Sequence, residues 1–274
     1  MKADKIKEIV RSRYAKVALQ NIPCCGTKKS CCGGSAEDTS KKVGYGDEDL
    51  NSVPEGANLG LGCGNPVALA SLKEGDVVLD LGSGAGFDAF LAAPRVGTAG
   101  KVIGVDMTPE MVEKAKANAK KGGFQNVEFR LGEIENLPVS DNEVGVIISN
   151  CVINLSPEKG KVFKEAFRVL KPGGRLMVSD LVLLKPLPEF VRQSVEAYVG
   201  CIAGAVMKDK YLAAITEAGF RDVTVVGEDI YPVNLAVNDP VARAIYSDTS
   251  LVSDYAKNIS ESVASVKISA VKPS

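Results

Sequence analysis

The chain has 274 residues with 33 basic and 34 acidic side chains, a net charge of -1 that leaves no basic surplus to recruit nucleic acid. No apolar run approaches the roughly 18 residues of a membrane span, and the charged N-terminus lacks a signal-peptide core, so a soluble, cytoplasmic protein is expected. Seven cysteines and no histidine confine any metal, metalloid or nucleophilic chemistry to sulfur and carboxylate. In a reducing compartment those cysteines are expected as thiols or ligands rather than structural bridges.

Residues 1–20 place Ile6, Ile9, Val10, Tyr14 and Val17 at roughly helical spacing, and the predicted helix stops before Asn21 and Pro23. Cys24-Cys25 and Cys31-Cys32 follow as two vicinal pairs in a polar stretch. They match no zinc-finger spacing, and read either as a capture tail for a soft ion or as spare, redox-buffering thiols. Residues 43–51 are turn-rich and acidic. Glycines 56, 60, 62 and 64 then surround Cys63, a density that suits a loop closing on a ligand better than a plain linker.

Residues 66–72 predict a short helix leading into a buried parallel strand at Val77–Leu81, which carries one aspartate, Asp80. Gly82, Ser83, Gly84 and Gly86 make a tight turn directly after it. A second strand, Lys101–Asp106, ends in an acid placed to accept hydrogen bonds from a ribose diol. Thr108 and Pro109 open a helix that stops at Gly122-Gly123. Val127–Leu131 and residues 144–149 predict strands three and four. The fourth delivers Asn150 and Cys151 to the carboxyl edge of the sheet, where ligands bind in open α/β folds.

A helix from Ser156 and Pro157 runs to the turn at Lys171-Pro172-Gly173-Gly174, and residues 175–184 predict strand five. Residues 188–206 predict a helical insertion carrying Cys201, whose apolar setting also suits a simple buried thiol. A helix over residues 210–218 and strands at residues 223–226 and Val263–Val271 complete the pattern. The insertion at residues 230–262 has no legible role. The whole predicts an α/β chain with a doubly wound, mostly parallel seven-stranded sheet.

The glycine spacing is G-x-G-x-G, not the dinucleotide G-x-G-x-x-G, and Asp80 stands two residues before the first glycine. An anion there repels a pyrophosphate and attracts an ammonium. This arrangement resembles the class I S-adenosylmethionine-dependent methyltransferases. The stretches GANLGLGCGNP (56–66), VVLDLGSGAGFD (77–88), GKVIGVDMTPEM (100–111), IISNCVINLSPEK (147–159), LKPGGRLMVSDL (170–181) and VGCIAGA (199–205) narrow it further. Together they resemble the arsenite S-adenosylmethionine methyltransferases over residues 43–229.

That resemblance implies three regions: an N-terminal helix and cysteine-rich segment (1–58), a cofactor-binding core (59–184), and an arsenic-binding helical insertion with a C-terminal part completing the sheet (185–274). It implies S-adenosyl-L-methionine held by Asp80, Gly82, Ser83, Gly84, Gly86, Asp106, Met107, Glu133, Ile134 and Asn150. Glu133 is expected to accept from the adenine amine, or to be an ordinary loop acid. Arsenite and methylarsenite are the implied substrates, with Cys151 and Cys201 matching the arsenic-binding pair and Cys63 as the implied further arsenic ligand. Cys63 matches a third cysteine that pairs with one from the N-terminal segment, Cys31 or Cys32. A thiol reductant, glutathione or thioredoxin, is the implied co-substrate, and no nucleic acid or membrane partner is expected. Gly145 departs from the pattern, standing where the family usually carries an aspartate. A methyltransferase of another small molecule and a non-catalytic metalloid-binding thiol protein are the competing expectations.

Overall fold

The computed structural model describes residues 3–20, 36–231 and 261–274. Cys24, Cys25, Cys31 and Cys32, and most of the insertion at 230–262, lie outside the described residues.

Four helices precede the first strand: α1 (Ala3–Gln20), α2 (Ala36–Lys42), α3 (Asp47–Ser52) and α4 (Pro66–Leu69). The acidic stretch read as turns contains α3. Asp47, Glu48 and Asp49 all fall in its first turn, where carboxylates complement the helix dipole, and Asp49 accepts the Gly46 N–H at 3.1 Å. The central unit alternates β1 (Val77–Leu81), α5 (Phe87–Val96), β2 (Lys101–Asp106), α6 (Pro109–Gly122), β3 (Val127–Leu131), β4 (Val144–Asn150) and α7 (Lys159–Val169). β5 (Leu170–Leu183), the short helices α8 (Glu189–Arg192) and α9 (Val195–Val199), α10 (Lys208–Glu217), β6 (Arg221–Ile230) and β7 (Val263–Val271) follow.

The strands form one seven-stranded sheet in the order β3-β2-β1-β4-β5-β7-β6. β1 to β5 are parallel, and β7 inserts antiparallel between β5 and β6. Alternation along the strands builds two cores. Leu79, Leu81, Ile103, Val105 and Ile147 face one layer of helices, and Val78, Val102, Val146 and Ile148 face the other. A chain reversal between β1 and β4 leaves a crevice above the carboxyl ends of the strands.

β5 begins five residues earlier than its apolar run predicts. Leu170 already pairs with Val144, and the Pro-Gly-Gly segment is absorbed as an irregularity before Arg175 pairs with Val146. The predicted insertion helix divides into α8 and α9. Beyond them, Cys201 takes a left-handed φ of 64°.

Gly86 caps α5 with φ 94°, and a Cβ there would lie 2.6 Å from the Phe90 ring and 2.8 Å from Phe129. Both rings are buried in the core beneath the turn. Gly86→Ala is therefore expected to cost about 1–3 kcal/mol of folding stability, read from the midpoint of urea unfolding.

Candidate active site

The glycine turn is held open by the neighbouring strand. The N–H groups of Gly82 and Ser83 both donate to the carbonyl of Val105, at 2.8 and 3.0 Å. Asp106 at the tip of β2 accepts from the N–H of Gly84 (3.0 Å) and of Thr108 (2.8 Å), which fixes its carboxylate at the rim. Above the turn lies a cleft of about 1070 Å³, including its solvent-open mouth. Asp80, Asp106, Met107, Ile134, Asn150 and Cys151 all line it, as do Gly82, Ser83 and Gly84.

The electrostatics of this cleft call for a cation. Asp80 is buried, and its Oδ2 has no hydrogen-bond partner among the described residues. Burial, and then the charges of Asp88 and Asp106, push its carboxyl well above the usual range. Burial also raises Asp106, against the two backbone donors that lower it. The buried Ser83 hydroxyl is likewise unpartnered. A Cβ on Gly84 would meet nothing within 4 Å, whereas one on Gly82 would lie 2.3 Å from Val152. An amino-acid ammonium fits the unmet oxygen of Asp80, and the fixed Asp106 carboxylate at the rim offers an acceptor to a diol.

Asn150, named by the sequence as a cofactor contact, spends its side chain otherwise. Its amide N–H groups reach the Tyr45 hydroxyl (2.8 Å), the Gly64 carbonyl (2.8 Å) and Asp88 (3.0 Å). Its oxygen accepts the Cys63 N–H at 3.0 Å. Tyr45 in turn donates to Asp88 at 2.6 Å. Tyr45 carried no signal of its own in the sequence, whereas Asp88 closes the VVLDLGSGAGFD stretch in the first turn of the mostly apolar α5. Burial lifts Asp88 to about 6 while Tyr45 and Asn150 hold it down.

Behind Cys151, which lines the cleft, three cysteines share one apolar cluster. Cys63, Cys151 and Cys201 are all buried there with Leu155, Leu181, Leu183, Val191 and Ile202. Cys63 and Cys151 are joined as a disulfide across a Cα–Cα distance of 5.8 Å. The Cys201 thiol donates to the Cys151 carbonyl at 3.0 Å. Cys151 and Cys201 both hold left-handed backbone, φ 54° and 64°, a costly conformation for non-glycine residues and one that collects at functional sites. Burial, reinforced by Asp180, pushes the Cys201 thiol far up, with Lys159 opposing.

The Cys63 sulfur lies against Cys151, because Asn150 and Ser265 pin the Cys63 backbone over the end of β4. Its expected N-terminal partner, Cys31 or Cys32, lies outside the described residues. Glu133, expected either at the adenine or as an ordinary loop acid, pairs with Lys7 (2.7 Å) and Arg11 (3.2 Å) of α1, while Ile134 and Glu135 line the cleft wall beside it. Asp180, unnamed by the sequence, is buried within 4.8 Å of the Cys63 and Cys151 sulfurs.

Residues 72–219 match the family described as Methyltransferase domain (Methyltransf_31). An arsenite methyltransferase of Halobacterium salinarum is 50% identical over 234 residues, 82% of this chain and 60% of that protein. The human arsenite methyltransferase is 38% identical over 226 residues, 79% of this chain and 58% of that protein. The chain thus spans about 60% of the length of the curated relatives it matches. Among solved structures, an arsenic(III) S-adenosylmethionine methyltransferase of Chlamydomonas reinhardtii superposes with a TM-score of 0.63 at 31% identity, covering 85% of this chain and 73% of that one.

Because Asn150 ties the Cys63 loop to Asp88, Asn150→Ala is expected to destabilise the fold by about 1–3 kcal/mol, leaving buried partners unsatisfied. Its signature is faster hydrogen exchange at residues 60–65. Asp88 also has a pH signature. With its folded value raised to about 6, the native state binds the extra proton between the ordinary carboxylate range and that value. Its ionisation therefore costs stability as pH rises through this window, so wild type should lose stability relative to Asp88→Asn from pH 4 to about 6 in paired urea titrations.

Proposed function

The chain belongs to the arsenite S-adenosylmethionine methyltransferase family, and from that premise we propose that it methylates trivalent arsenic held by Cys63, Cys151 and Cys201. The observation that carries this reading is the meeting of three buried cysteines, far apart in the chain, in one apolar cluster from which Cys151 reaches the wall of a cleft that also holds an unpaired carboxylate beside a glycine turn.

In this reading Asp80 accepts the ammonium of the cofactor's amino-acid end, Asp106 accepts from its ribose hydroxyls, and the Gly82–Gly84 backbone lies against it, with Met107 and Ile134 on the walls. Bound S-adenosylmethionine supplies an electrophilic methyl on a sulfonium. The protein supplies the sulfur ligands. Each thiol displaces one hydroxide of arsenite: the thiol proton leaves with that hydroxide as water, and an arsenic–sulfur bond forms. Arsenic keeps its lone pair, which is the nucleophile, so no base is needed and the absence of histidine is no handicap. Holding both reactants in line is what the fold contributes, a factor worth on the order of 7–11 kcal/mol in well-oriented systems.

Cys63 and Cys151 must first be reduced, because a sulfur in a disulfide cannot displace hydroxide from arsenic. Methyl transfer raises arsenic to the pentavalent state, and returning it to the trivalent state takes two electrons. Two thiols give them by closing a disulfide, for which Cys32 and Cys63 are the proposed pair. Closing that disulfide leaves trivalent methylarsenic on the remaining sulfurs, and glutathione or thioredoxin then reopens the disulfide, itself being oxidised, for a further round. Such a thiol-driven cycle suits the cytoplasm. No helix among the described residues is long and apolar enough to cross a membrane.

The direct test mixes the protein with arsenite, a thiol and methyl-labelled S-adenosylmethionine. Labelled arsenicals are expected, and their absence under reducing conditions rejects the proposal. Cys151→Ser and Cys201→Ser should each abolish the first methylation while leaving cofactor affinity intact.

Asp80→Asn should weaken cofactor binding about 10- to 100-fold, the loss of one charge-assisted hydrogen bond. Since burial pushes Asp80 up, wild-type affinity should rise with pH as that carboxyl loses its proton, and the variant should lack this rise in calorimetric titrations.

A further inference from the structure

We propose that the reduced protein carries a divalent-cation site made of Cys63, Cys151 and Asp180, overlapping the arsenic ligands but using a carboxylate in place of Cys201. The cation is a thiophilic one of the zinc or cadmium class.

The donor atoms of these three residues lie within 4.8 Å of one another, and all three side chains are buried. With Zn–S about 2.3 Å and Zn–O about 2.1 Å, donors sharing one tetrahedral ion stand about 3.5–3.8 Å apart. The sulfurs need only separate to that spacing once the disulfide is opened, and a Cα–Cα distance of 5.8 Å leaves room for it.

Asp180 is held in a fixed orientation beside the sulfurs. Oδ1 accepts from the Asn154 amide (2.8 Å) and the Leu181 N–H (2.9 Å), and Oδ2 accepts from the Tyr211 hydroxyl (3.0 Å). Outer hydrogen bonds of this kind fix the direction of a metal-binding carboxylate. The charges also close. Two thiolates and a carboxylate around a divalent ion leave one negative charge, and the mostly buried Lys159, which interacts electrostatically with Asp180, offsets it. Cys151 lines the cleft, which gives the ion an entry path.

Loading the site is a simple exchange. A phosphine or dithiol reductant supplies two electrons to open the Cys63–Cys151 bond, and the ion then displaces one proton from each thiol. Trivalent arsenic favours three sulfurs, whereas zinc and cadmium accept sulfur with oxygen. The two occupants therefore share Cys63 and Cys151 and differ in the third donor. A bound divalent ion blocks arsenic capture.

The test uses the full chain, reduced, with Cys24, Cys25, Cys31 and Cys32 changed to serine so that their thiols do not bind the probe. Cadmium is titrated while the ultraviolet thiolate-to-cadmium band is followed. One ion per chain is expected. Asp180→Asn should weaken binding at least about tenfold, and Cys201→Ser should leave it nearly unchanged. The opposite ranking overturns the proposal. Where Asp180→Asn fails to fold, zinc-edge X-ray absorption of the chain with Asp180 intact decides: two sulfurs with an oxygen shell support it, three sulfurs refute it. The site does not depend on arsenic being the substrate. Cadmium binding without arsenite binding would sink the arsenic reading and leave this one standing, whereas zinc that fails to slow arsenite uptake would remove the proposed overlap.

Discussion

The side-chain amide of Asn150 is the joint on which both ends of the site depend. One planar group gives hydrogen bonds to Tyr45, Gly64 and Asp88 and accepts one from the backbone of Cys63. It sits at the end of β4, next to the strand that starts the glycine turn. Through it the loop carrying Cys63 is bound to the same strand end that presents Cys151. Loss of this amide would leave a buried tyrosine, a buried carboxylate and a carbonyl competing for water that the site excludes.

Around that joint the protein buries three carboxyl groups close together. Asp80, Asp88 and Asp106 are packed near one another, and burial raises all three. Asp88 and Asp106 are compensated by hydrogen bonds, but one oxygen of Asp80 is not. A fold that leaves a carboxylate unpaired there is poised for a cationic ligand. The cations of α1 do not fill this need: Lys7 and Arg11 engage Glu133 and Glu135 at the cleft mouth, tying the N-terminal helix over the opening.

The thiol end follows a different logic. Its cysteines are dry, apolar and held by strained backbone at Cys151 and Cys201. Burial makes the Cys201 thiol resist ionisation, so it is a poor nucleophile toward ordinary electrophiles and becomes a thiolate when a thiophilic centre takes the proton's place. The same burial shields any captured centre from water, beside the cleft where the methyl donor is proposed to bind.

Much of this was readable from the residues alone. Alternating apolar positions set the parallel strands, Asp80 and the G-x-G-x-G spacing set the character of the turn, and the acid closing Lys101–Asp106 set the rim, because these features act over a few neighbouring residues. The contexts of Cys63, Cys151 and Cys201 marked them out individually. Local pattern carries no record of which side chains meet across the fold. Tertiary structure alone decided that Cys63 lies against Cys151, 88 residues away, and that Asp180 joins them. It likewise decided that Glu133 turns to α1 instead of the cleft, and that Tyr45 and Asp88 lock the joint. Such partners are chosen by packing, by which groups the core leaves without water, and those demands exist only once the sheet and its helices have assembled.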